Sequence, residues 1–113
     1  NPDLFSNGET AMKYYVDRIG ENSLYLIDEP ENSLSAAFQQ ELAGFLADSA
    51  RFFGCQLIIA THSPILMAFP GAEILELSDE GIRSVDYRET EHYQVTRRFL
   101  ENPEKMLHYL LDV

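Results

Sequence analysis

The chain has 113 residues, enough for one domain or part of one that buries roughly 65% of its unfolded surface. Nineteen acids against eight bases give a formal net charge of −11, so nucleic acid and anionic membranes repel it unless another segment supplies positive charge. A single cysteine, Cys55, excludes an internal disulfide, and no apolar run approaches the ~18 residues of a membrane-spanning helix.

No signal-peptide pattern is visible either, and the expectation is a soluble, cytoplasmic protein with Cys55 as a buried, inert thiol between "FFG" and "QLIIA". In chain order, residues 9 to 19 space Ala11, Met12, Tyr15, Val16 and Ile19 as one helical face, with Gly20 as the stop. "SLYLID" reads as a short buried strand. From Ser33 to Phe53, the residues Leu34, Phe38, Leu42, Phe45, Leu46 and Phe53 form the apolar face of a long helix ended by Gly54. "QLIIAT" is a second strand, with the continuous apolar run of a parallel one, and the three elements make a βαβ unit. Pro64 marks the first turn of a short helix. "EILEL" and "IRSVDY" pair as an antiparallel hairpin across "SDEG". Two helices close the chain, with Asn102 as a cap and Pro103 in the first turn of the second. The fold class is α/β.

The first strand ends in adjacent acids, Asp28-Glu29, and the second in Thr61-His62-Ser63. Ligands of open α/β sheets bind beyond the carboxyl ends of the strands. A carboxylate pair and an imidazole on neighbouring tips suit a metal-bound phosphate, one acid holding Mg²⁺ through water and the other orienting an attacking water. The plainer alternative makes Asp28 a turn cap and His62 a solvated loop residue. Upstream, Ser6 and Glu9 satisfy the S-x-x-E capping box. The same helix N-terminus, with small Gly8, is also a ready anion site.

"FSNGE", "LYLIDEPENSLS" and "LIIATHS" occur in an order that resembles the signature motif, Walker B strand, D-loop and switch histidine of ABC-type ATPases. The tail is similar to the C-terminal end of small stand-alone ATPases often labelled AAA-family, whose motifs are ABC-like. The resemblance implies the C-terminal half of a P-loop NTPase domain spanning 1–113, with a mainly parallel sheet, a C-terminal hairpin and terminal helices. It also implies ATP as ligand, Asp28 holding Mg²⁺ through water, Glu29 as catalytic base and His62 sensing the γ-phosphate. Ser6, Asn7, Gly8 and Glu9 would meet the γ-phosphate held by the opposite subunit of a head-to-tail homodimer, and Ser33 and Ser35 would belong to the D-loop.

Against the usual LSGGQ signature, Asn7 replaces a glycine and Glu9 the final glutamine, and Ser35 stands where the D-loop usually closes with Asp. These features lie closer to the non-transporter branch. No G-x-x-x-x-G-K-[ST] occurs, and the two lysines, Lys13 and Lys105, follow no glycine-rich loop. The expectation is therefore an ATPase fragment whose phosphate cradle lies upstream and which is inactive alone. The alternative is an ATP-dependent conformational switch or binding module with little turnover. Arg97-Arg98 reads as a solvated helix face, and His92 and His108 lack metal-ligand spacing with any cysteine. Whether nucleic acid is a partner stays open.

Overall fold

A computed structural model describes residues 2–111, with side chains from residue 8 onward. It divides into two compact units, residues 1–70 and 71–113, each described by itself.

The first unit holds helix α1 (Pro2–Arg18), strand β1 (Leu24–Asp28), helix α2 (Ala36–Phe52) and strand β2 (Gln56–Ala60). Short 3₁₀ turns occupy Pro30–Ser33 and Leu66–Ala68. The two strands run parallel in a register that sets Leu24 opposite Gln56 and Asp28 opposite Ala60, so both carboxyl ends lie on one edge. Among the described residues this parallel sheet has two strands. Alternation along the strands gives each face its own set of side chains. Tyr25, Ile27, Leu57 and Ile59 pack into the core, while Leu24, Leu26 and Ile58 are exposed.

Leu42 and Leu46 are completely buried, and Leu34, Ile27 and Leu66 complete the centre of the core. Leu42 and Leu46 are four residues apart, one turn of α2, so they enter the core from the same face. Phe38 and Phe45 flank that centre, as the helical spacing predicts. Phe53 departs from the prediction and is 48% exposed. It sits one residue past the last turn, where it ends the helix and no longer follows its face. Gly54 then takes φ +71°, a conformation that favours glycine, and a Cβ there would strike the Asn22 side chain. The Cys55 thiol is buried against the Gly20 carbonyl at 3.0 Å, consistent with a packing role.

Helix α1 begins at Pro2, earlier than the capping-box reading places it. Proline is well suited to a first turn, since its missing N–H and fixed φ cost nothing there. Ser6 and Asn7 therefore stand inside the helix, and their side chains fall outside the described residues. Ala11, Met12 and Tyr15 of α1, and Ile19 just past its end, pack against the core, whereas Val16 is 51% exposed.

The second unit begins with the hairpin of β3 (Ile74–Ser78) and β4 (Gly81–Val85), antiparallel as predicted, with Glu76 opposite Arg83 and their side chains 3.1 Å apart. Buried Thr90 caps α3 (Glu91–Glu101) by accepting from the Tyr93 N–H at 3.2 Å. Asn102 caps α4 (Pro103–Leu111) in the same way, accepting from the Lys105 N–H at 3.1 Å. Arg97 pairs with Glu101 at 2.8 Å on an exposed face of α3. No helix among the described residues is long and apolar enough to cross a membrane.

Candidate active site

The parallel register determines what can meet at the strand ends. Since Asp28 pairs with Ala60, the residues immediately beyond both strands are neighbours. The Glu29 N–H donates to the Ala60 carbonyl at 2.7 Å and extends the ladder by one bond. Glu29 itself turns out of the strand with φ 45° and ψ 57°. A left-handed conformation at a residue with a Cβ costs about 1–2 kcal/mol, so the surrounding structure has to impose it. The Asn32 N–H bonding to the Glu29 carbonyl at 3.2 Å closes the turn that does so.

This turn aims the Glu29 carboxylate across the strand ends. One oxygen, Oε1, lies 3.1 Å from Nε2 of His62, and the other, Oε2, accepts from the Asn32 side-chain amide at 3.1 Å. With a proton on Nε2 the imidazole donates to the carboxylate. Glu29 is the N-cap of the Pro30–Ser33 turn but makes no side-chain cap bond, so capping does not account for its carboxylate. Asp28 is exposed at the last position of β1.

A second acid, which sequence reasoning passed over, joins the same cluster. Glu31 accepts from the Thr61 hydroxyl at 2.7 Å and from the His62 N–H at 2.9 Å, one bond to each carboxylate oxygen. Partial burial raises the Glu31 pKa, but the His62 N–H, the Thr61 hydroxyl, its own N–H and the nearby imidazole together outweigh that and hold it below the ordinary value. The Thr61 oxygen in turn accepts from the Ser63 N–H at 3.0 Å. The Ser63 hydroxyl donates to the Gln39 side chain and accepts from the N–H groups of Ile65 and Leu66, each at 3.2 Å. Pro64 follows, and the chain enters the Leu66–Ala68 turn. The segment carrying His62 is thus tied to β1's turn on one side and to α2 on the other.

The remaining predicted residues have plainer surroundings. Ser35 caps α2, its hydroxyl accepting from the Phe38 N–H at 3.2 Å, and Ser33 is exposed in the 3₁₀ turn. Gly8 is inside α1, where its N–H belongs to the helix ladder, so the open helix N-terminus expected there is not what forms. Its lack of a side chain has a packing reason: a Cβ at Gly8 would stand 2.5 Å from Cδ2 of Phe38. Glu9 is exposed on the same helix.

The strand-end residues are compatible with Mg²⁺. Among the described residues no three acid, histidine or cysteine side chains are grouped as a metal cage. Mg²⁺ usually takes one or two carboxylates and completes its octahedron with water and phosphate oxygens. The exposed carboxylate of Asp28, beside Glu29, offers that kind of donor.

A protein-family profile described as "AAA domain, putative AbiEii toxin, Type IV TA system" matches residues 4–68. The chain belongs to this AAA-domain family. The match covers α1 from its third residue, the parallel strands, α2 and the whole Glu29–Glu31–His62 cluster, and stops before the hairpin. Membership in the AAA-domain family makes this a nucleotide-binding, ATPase-like domain of the P-loop class, in agreement with its α/β fold and small parallel sheet. No curated protein matches the chain.

Proposed function

We propose that the strand-end cluster is the hydrolytic half of an ABC-type ATP site, completed by a phosphate-binding loop outside these 113 residues. The observation that supports this most is the meeting of Glu29 and His62, 3.1 Å apart, at the ends of adjacent parallel strands. A carboxylate so placed can orient a water molecule and accept its proton as the water attacks the γ-phosphate. The imidazole beside it can donate to a γ-phosphate oxygen and stabilise charge that grows there in the transition state. Asp28, at the last position of β1, would hold Mg²⁺ through its water shell. Bound Mg²⁺ supplies charge neutralisation at the β- and γ-phosphates.

The resting contact between His62 and Glu29 has a consequence for turnover. Each occupies the other's hydrogen-bonding atom, so the pair has to separate when water and phosphate enter. The cost is modest, because the His62 side chain is 69% exposed and water replaces the lost bond readily. The head-to-tail homodimer, with the Ser6–Glu9 stretch of α1 facing the partner's nucleotide, belongs to the same proposal.

The test is ATP hydrolysis by the full-length protein with and without Glu29→Gln. Loss of hydrolysis in the variant, with ATP binding retained, supports the reading. Equal rates in the two proteins would remove it.

A further inference from the structure

The acid pair Asp28-Glu29 uses two of the three carboxylates on this loop, and the third, Glu31, lies in the same cluster with no part in the chemistry above. Its geometry is unlike that of a solvated turn residue. Both of its oxygens are engaged, by the Thr61 hydroxyl and the His62 N–H, at 2.7 and 2.9 Å. Both donors are about 30 positions away in sequence, on the segment that leaves β2. Hydrogen bonds to a charged acceptor are about twice as strong as neutral ones, and two accepted by one carboxylate fix orientation as well as distance.

The clamp closes a ring of contacts. Glu29 and Glu31 flank Pro30, and the imidazole and main-chain N–H of His62 are held by Glu29 and Glu31 respectively. Glu31 therefore grips the backbone from which the His62 side chain projects. We infer that Glu31 is a positioning residue: it holds His62 in register with Glu29 so that both address the same γ-phosphate. The inference rests on the hydrolytic reading of the Glu29–His62 pair. Both Glu31 oxygens are taken up by the Thr61–His62 segment, and on this inference Glu31 acts through His62. Since reacting groups displaced by about 1 Å can lose about 10²-fold in rate, a clamp on this backbone is felt in kcat.

Three variants of the full-length protein test this: Glu31→Ala, Glu31→Gln and Glu31→Ala combined with His62→Ala. Glu31→Ala should lower kcat by about 10²-fold while leaving ATP affinity unchanged. It should also speed hydrogen exchange at the His62 N–H by about ten- to a hundredfold, the equivalent of one hydrogen bond to a charged group. Glu31→Gln should recover part of the rate, since its amide oxygen still accepts from that N–H. On a His62→Ala background, removing Glu31 should cost no further activity. A full additional loss on that background overturns the inference, because Glu31 would then act independently of His62. Wild-type kcat in Glu31→Ala, with Glu29→Gln inactive, overturns it too and leaves the hydrolytic reading standing. Wild-type hydrolysis by Glu29→Gln brings down both.

Discussion

The imidazole Nε2 of His62 lies 3.1 Å from Oε1 of Glu29, although 33 positions separate the two residues in the chain. The distance follows from the parallel register, which puts Asp28 beside Ala60 and so brings the next residues of both strands together. From this relationship the behaviour of several variants can be worked out.

Stability should depend on pH through Glu31. Its folded pKa lies below the ordinary 4.5, so the folded state favours the charged carboxylate. The contribution is complete above about pH 4.5 and is lost as pH falls through the lower folded value. Glu31→Gln has no such titration. The denaturation midpoints of wild type and Glu31→Gln, measured from pH 7 down to about pH 3, should converge at the acid end. A gap that stays constant would show that the clamp does not depend on charge.

Packing at Gly8 gives a prediction free of nucleotide chemistry. A Cβ there would meet the Phe38 ring at 2.5 to 2.7 Å, so Gly8→Val should lower stability by about 1–3 kcal/mol. Shrinking the ring should relieve the clash. The double variant Gly8→Val with Phe38→Ala should therefore lose less stability than the two single losses added together, as read by chemical denaturation. Strict additivity would mean that α1 does not approach α2 this closely.

Asp28→Asn should act on the metal. An amide oxygen is a weaker partner for the water shell of Mg²⁺ than a carboxylate, and the apparent Mg²⁺ affinity in the presence of ATP should fall by about tenfold. Hydrolysis should recover as Mg²⁺ is raised. Unchanged Mg²⁺ dependence would place the ion elsewhere.

Much of this was readable along the chain, and the gaps have physical causes. The strand ends were visible because an apolar run stops at acids in one case and at Thr-His-Ser in the other. Leu42 and Leu46 were visible because helical spacing repeats them on one face, and both are buried. Leu34 is buried too, but from extended backbone ahead of α2, which begins at Ala36 and not at Ser33. Val16 misleads for a geometric reason. With about 100° per residue, Ala11, Met12, Tyr15 and Ile19 span an arc whose centre leaves Val16 near its flank, toward solvent. The S-x-x-E pattern gave the wrong helix start because Pro2 opens the helix first, leaving Ser6 in its interior. Glu31 could not be found at all. Between Pro30 and Asn32 it looks like any polar turn residue, and its partners, Thr61 and His62, come near only when β1 and β2 pair.

On the proposed hydrolytic reading, Glu29 takes the proton from the attacking water. Glutamine is nearly isosteric and keeps the hydrogen-bonding geometry, yet it cannot accept that proton. Phosphate release and ATP binding should be measured together on full-length wild type and Glu29→Gln at saturating Mg²⁺. Turnover should fall by at least about 10²-fold in Glu29→Gln with ATP bound as tightly as before, or more tightly. Phosphate release by Glu29→Gln at the wild-type rate would contradict that reading.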